Sequence, residues 1–164
     1  MIRDEYIIKA VQAKVWVTSS SHAKIQTACT MGASGGFDYR EEDWHLTAAE
    51  MMGHPDLIID SAGGKGYSQL LELLRPGGSI INYGATAGPP KVDLFKVFWK
   101  QLRIQGSTMG SPKDFQAMLD FITQHQIHPT VDEVIPLEEG NQALERMHVS
   151  NQFGKLVLKI NGES

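Results

Sequence analysis

Two five-residue runs, Asp56–Asp60 (DLIID) and Ser79–Tyr83 (SIINY), constrain this chain more than any other feature. Each has a continuous apolar centre and is too short for a helix, which suits a strand buried on both faces of a parallel sheet. Between them, Tyr67–Leu74 carries leucines at 70, 71, 73 and 74 on one helical side, and Pro76–Gly77–Gly78 ends that helix. Strand, helix and strand in that order make a βαβ crossover, so the middle of the chain predicts parallel pairing.

The same alternation runs from end to end. Ala13–Thr18 (AKVWVT) reads as a strand, and Ser19–Ser20–Ser21 supplies a turn and a helix N-cap. His22–Met31 then reads as a helix closed by Gly32. Gly36–Tyr39 is a second strand, and Leu46–Gly53 a short helix broken at His54–Pro55. After the loop Gly84–Pro90, Val92–Trp99 is helical, Leu102–Gln105 stranded and Pro112–Gln124 helical, with Pro112 in the first turn where it is tolerated. The tail adds a strand at Val131–Ile135, a helix at Glu138–His148 and a last strand at Lys155–Ile160. Such alternation predicts an α/β fold, a parallel sheet flanked by helices.

Composition removes several function classes. With 41% hydrophobic residues and a net charge of −4, the chain has the balance of a globular protein and no electrostatic ground for binding nucleic acid. Cys29 is the single cysteine, which excludes an internal disulfide framework and a cysteine-rich zinc site. No run approaches the ~20 apolar residues of a membrane span, and residues 1–20 carry no cleavage signature, so a cytoplasmic location is the default expectation. Among the histidines, His125 and His128 are three apart before Pro129 with no third ligand nearby, and no metal site is expected. Met109, Met118 and Met147 read as core filler.

The segment Ala13–Trp44 resembles the second strand, helix and third strand of the medium-chain dehydrogenase/reductase family, which includes the zinc-type alcohol dehydrogenase-like proteins and quinone reductases. Its most specific part is Asp38–Tyr39–Arg40–Glu41–Glu42–Asp43–Trp44, similar to the family's NYREEDF stretch. Asp56–Gly64, Leu74–Gly84, Leu102–Gly110 and Val134–Leu158 resemble later family segments in the right order, so the likeness covers roughly residues 13–160. It implies a Rossmann-type sheet and an oxidoreductase using NADP, whose full-length relatives transfer hydride to an alcohol, aldehyde or quinone.

In a Rossmann site, a carboxylate at the end of the second strand holds the ribose 2′-hydroxyl of NAD, whereas its absence beside a cation suits a 2′-phosphate. Here that strand ends in Thr18–Ser19–Ser20–Ser21, and Lys24 follows one helical turn on. By resemblance, Lys24 and Tyr39 match positions that contact the 2′-phosphate, and Ser20 adds a hydroxyl. The plainer reading makes the serines a helix cap and Lys24 a solvated surface cation. In Ser61–Gly66 (SAGGKG), Gln69 stands where a G-x-G-x-x-G fingerprint needs its third glycine, so this is not that fingerprint. The resemblance instead makes Ala62, Gly63 and Gly64 a loop whose backbone passes the cofactor, with Gly84 and Ala85 near its nicotinamide end; the plainer reading is turns without a ligand. Asn151 and Gln152 lie in a segment resembling the family's N-x-G-K element, with Gln152 where the asparagine would be.

A complete family member carries a GroES-like catalytic domain, which supplies zinc ligands where zinc is used. Nothing here resembles it, and only Met1–Gln12 precede the second strand, too few for the first strand and its glycine-rich turn. The resulting expectation is a truncated chain with three parts: residues 1–12 as remnant or replacement, 13–130 as an incomplete NADP-binding Rossmann domain, and 131–164 as the segment that returns toward the catalytic domain. No residue is assigned a catalytic role, no zinc is expected, and activity alone should be low. Loss of the central first strand would expose two parallel-type edges. Three repairs are open: direct pairing of strands two and four, insertion of Tyr6–Val11, or exchange between chains. The resemblance also implies a homodimer through the edge at Leu102–Gln105. Two rival readings remain: a class I S-adenosylmethionine-dependent methyltransferase, from Leu74–Arg75–Pro76–Gly77–Gly78 before a strand, and a non-catalytic degenerate or interaction module.

Overall fold

A computed structural model of the protein describes residues 13–160. The strands are β1 (Trp16–Ser19), β2 (Gly35–Asp38), β3 (Leu57–Asp60), β4 (Ser79–Asn82), β5 (Arg103–Gly106), β6 (Val131–Pro136) and β7 (Lys155–Lys159). The helices are α1 (His22–Thr30), α2 (Trp44–Met52), α3 (Tyr67–Leu73), α4 (Leu94–Trp99), α5 (Pro112–Gln124) and α6 (Gly140–His148), with a 3-10 turn at Leu137–Glu139. The predicted α/β alternation is therefore present throughout the described residues.

The described strands form three sheets: β1–β2, β3–β4–β5 and β6–β7. Pairing is parallel within the second and third, with Asp60 beside Asn82 and Asn82 beside Gly106 in register. Direct pairing of β1 with β3, one of the three expected repairs, is not found, because the two strands lie in different sheets. The segment Tyr6–Val11, invoked for another, lies outside the described residues.

The described residues pack as two compact units. One contains those up to Val17, Ser21–Gly36 and those from Pro112 onward; the other contains Thr18–Ser20 and Phe37–Ser111. In the second unit, Tyr67, Leu71 and Leu74 from α3 and its end meet Ile80 of β4 and Leu102, with Ile58, Leu70 and Val97 against them. Each fully buried Leu or Ile contributes roughly 1.5–3 kcal/mol of transfer free energy. In the first unit the buried apolar groups include Ile25 and Ala28 of α1, Ile135 of β6 and Ala143 of α6.

Two expectations are corrected. β3 is not buried on both faces: Ile58 and Asp60 point inward, while Leu57 and Ile59 are exposed, Ile59 by 66%. One face of the β3–β4–β5 sheet packs on α3, and the residues alternating with that face are left on the other side. The three methionines are not core filler either, since Met109 is 94% exposed and Met118 and Met147 are also exposed. Apolar character alone does not bury a residue whose helix or loop has no packed neighbour on that side. Among the described residues no helix is long and apolar enough to cross a membrane.

Candidate functional site

The candidate residues fall into two groups that the fold builds separately. In the first unit, Ser21 caps α1 by accepting from the Lys24 amide at 3.4 Å. Capping places Lys24 on the first turn, where its Nζ donates to the Ser150 carbonyl at 2.6 Å. The fold thus joins two sequence-predicted regions 126 residues apart, Lys24 and the segment that contains Asn151 and Gln152. That segment leaves α6 through Ser150, whose φ of 55° is left-handed. It is tied down where the Phe153 amide donates to Asp132, a carboxylate also bound by Arg146. Asn151 is exposed, whereas the side-chain oxygen of Gln152 is buried with no hydrogen-bond partner, as is the hydroxyl of Thr130. A buried polar atom without a partner is costly, so both are open to a polar ligand group.

Ser20 follows β1 and is half-buried; Tyr39 follows β2 and is exposed. Both belong to the second unit. Beside Tyr39, Arg40 binds the Asp38 carboxylate side-on and holds its pKa at about 2, well below the usual value. Arg40 is thereby engaged by a carboxylate next to the predicted phosphate-contacting tyrosine.

The other group lies at the carboxyl ends of β3 and β4, in the second unit. Here the predicted loops Ser61–Gly64 and Gly84–Gly88 pack directly on each other. The Gly64 amide donates to the Gly88 carbonyl at 2.8 Å, the Ala87 amide to Ala62 at 2.8 Å and the Thr86 amide to Ser61 at 3.2 Å. Gly63 and Gly64 both have φ of +64°, and a Cβ on Gly63 would lie 2.7 Å from the Gly88 carbonyl. The glycines are thus required by this backbone-to-backbone contact. Ala62, Gly84 and Ala85 are exposed, while Gly63 and Gly64 are buried.

Sequence reasoning missed what anchors these loops. Asp60, only 7% exposed, accepts from the amides of Ala62 at 3.2 Å and Gly63 at 2.9 Å. Asn82, its register partner, donates to Asp60 at 2.9 Å and accepts from the Tyr67 hydroxyl at 2.6 Å. Burial, with the Asp60 charge nearby, raises the Tyr67 pKa and keeps the phenol a donor. The available signal was the position of Asp60 at the end of the run Asp56–Asp60 and of Asn82 one residue before the end of Ser79–Tyr83. Parallel pairing of those runs puts such groups side by side at the edge where α/β sheets bind ligands.

Comparison with known proteins follows the same lines. The family model described as Zinc-binding dehydrogenase matches residues 6–124. The chain is 30% identical over 161 residues to a zinc-type alcohol dehydrogenase-like protein, YogA, of Leptosphaeria maculans, covering 92% of this chain and 45% of that protein. It is 35% identical over 156 residues to a probable cinnamyl alcohol dehydrogenase 8A of Oryza sativa subsp. japonica, covering 94% and 42%. Among solved structures, a putative alcohol dehydrogenase from Sinorhizobium meliloti 1021 superposes with a TM-score of 0.83 at 31% identity, over 93% of this chain and 43% of that one. The chain therefore spans less than half the length of the curated relatives it matches.

Proposed function

The chain belongs to the zinc-binding dehydrogenase family, and from that premise we propose that it is the cofactor-binding part of an oxidoreductase that prefers NADP(H). The observation that carries the preference is Lys24. Its ammonium is held at the start of α1, one turn after a strand end with hydroxyls and no carboxylate. An ammonium with short uncharged donors suits a dianionic phosphate and has no use for a ribose hydroxyl alone. The buried, unpartnered Gln152 oxygen, two residues along the chain from the Lys24 anchor at Ser150, is an acceptor that a ribose hydroxyl or carboxamide would satisfy, so the residues present fit a nucleotide cofactor.

Lys24, Asn151 and Gln152 are proposed contacts in the first unit. In the second, taken by itself, the family resemblance is the ground for proposing Ser20, Tyr39 and the backbones at Ala62, Gly63, Gly64, Gly84 and Ala85. When bound, the nicotinamide would supply or accept hydride. None of these residues is a proton donor placed to complete that reaction, and turnover by this chain alone is expected to be low. Among the described residues no group of three or more His, Cys, Asp or Glu could hold a metal ion, so zinc finds no ligand set in them. The methyltransferase reading is not favoured, since the relatives matched are dehydrogenases.

Fluorescence titration with NADPH and NADH tests the reading. NADPH should bind more tightly, and Lys24→Ala should weaken NADPH about tenfold or more while leaving NADH nearly unchanged, as expected for loss of a charge-assisted contact. Equal binding of the two cofactors with no effect of Lys24→Ala would overturn it.

A homodimer through Leu102–Gln105, or by strand exchange, belongs to the same proposal. The order β3–β4–β5 puts β5 at an edge, and Arg103–Gly106 is exposed. An exposed edge offers unpaired amides and carbonyls to a second strand. Light scattering should give a dimer that Ile104→Pro turns into a monomer; a monomeric wild type would refute this.

A further inference from the structure

Among the described residues the proposed function leaves two buried polar side chains unused, His45 and Asp60, and Asp60 is the one that bonds both glycine loops' segments. We propose that Asp60 is a positioning residue that, with Asn82 and Tyr67, sets the spacing between the loop proposed to pass beside the cofactor and the loop proposed to approach its nicotinamide end. This inference rests on that reading of the loops and names what aligns them.

A carboxylate is expensive to bury, and among the described residues Asp60 makes no ion pair that would repay the cost. It instead accepts from three donors of two kinds. The Ala62 and Gly63 amides come from the loop after its own strand, and the Asn82 amide comes from the strand that leads into the other loop. One side chain thus bonds both segments. Parallel register makes this possible: Asp60 and Asn82 are Cα partners, so their side chains leave the same face of neighbouring strands. Asn82 is fixed in turn, because its carbonyl oxygen accepts from Tyr67, whose ring is in the core under the sheet. That bond leaves the Asn82 amide nitrogen to face Asp60.

The loops on either side have little freedom left. The Gly63 amide is taken by Asp60 and the Gly64 amide by Gly88, and a Cβ at Gly84 would meet the Ser61 carbonyl at 2.9 Å. Spacing between the loops is therefore set jointly by the Asp60–Asn82 bond at their base and by the direct backbone bonds between them. An isosteric amide at position 60 keeps the volume but cannot accept at both oxygens. Its NH2 would face at least one of the three donors, and the lock would open there.

The test is Asp60→Asn in the whole chain, with Tyr67→Phe as a second variant that keeps the buried ring. Three readouts are taken: amide hydrogen exchange in the free protein, NADPH affinity, and affinity for 2′-phospho-AMP, which lacks the nicotinamide half. The expected result is faster exchange at Ala62, Gly63, Gly64 and Ala87, with core amides of β4 unchanged. NADPH should bind about tenfold more weakly, while 2′-phospho-AMP binds as before. Tyr67→Phe should shift both loop exchange and NADPH in the same direction by less. A purely structural role would weaken both ligands alike, and that outcome overturns the proposal. Unchanged exchange at the four loop amides would overturn the lock itself. If the loops loosen but wild type binds no NADPH, the cofactor reading fails, and the positioning role with it, while the lock stands.

Discussion

The two parallel βαβ units that the structure describes most fully, β3–α3–β4 and β6–α6–β7, share a topology and differ in what holds them. In the first, α3 and its end offer Tyr67, Leu71 and Leu74 to the sheet, all fully or nearly fully buried, and a buried carboxylate accepts from three donors. In the second, α6 buries only Ala143, and Leu144 and Met147 stay exposed, as does Val134 of β6. Its side-chain bonds are peripheral: Arg146 bridges Asp132 and Glu133, and Asp132 receives the Phe153 amide. The crossover itself does not make a core. A helix contributes one only where its apolar side is wide enough to cover the sheet, and the remainder is left to backbone pairing and surface charge.

Four measurements separate packing from surface charge as the source of stability. Leu71→Ala should produce the largest loss of stability, about 2–5 kcal/mol in a urea titration, because it empties a site with no exposure. Tyr67→Phe should cost roughly 1–2 kcal/mol, since it leaves the Asn82 oxygen without its donor. Arg146→Ala should cost about 1 kcal/mol or less, as expected for partly exposed ion pairs. A cost equal to that of Leu71→Ala would show that surface charge does the work assigned here to packing.

The smallest effect concerns the Asp38–Arg40 ion pair at the end of β2, which lies outside both βαβ units and serves as a reference for a surface pair. Arg40 holds the Asp38 carboxyl at about 2, against an ordinary value of 3.8. Because the folded value lies below the unfolded one, the pair's contribution is complete above the ordinary range and is lost as pH falls through about 2. NMR titration should place the midpoint there, and Arg40→Ala should return it toward 3.8. A midpoint already near 3.8 in the wild type would remove this pair from the comparison.

Much of the architecture was legible because it is local. Ser21 as N-cap, Gly32 with positive φ after α1, and the break at Pro76–Gly78 are decided by residues within one turn of each other. The likeness of DYREEDW to a family motif was legible for a similar reason, since it needs no knowledge of contacts. The glycines at 63, 64 and 84 were visible, but their reason was not. Each is fitted to a loop that returns more than twenty residues away in sequence, after a helix and a strand. Asp60 read as an acidic residue flanking an apolar run, and its bonds to Asn82 and beyond depend on the register of two strands.

The sequence by itself determined the order of strands and helices, their parallel pairing in the middle of the chain and the family. Periodicity, caps and breakers act over a few residues and survive in any context. Only the tertiary structure decided which side of β3 is buried, that Lys24 is anchored on the Ser150 carbonyl, and that one carboxylate ties two glycine loops together. Those outcomes depend on which distant surface arrives at a given face. An apolar or charged residue carries its chemistry in the sequence, but its partner is chosen by packing.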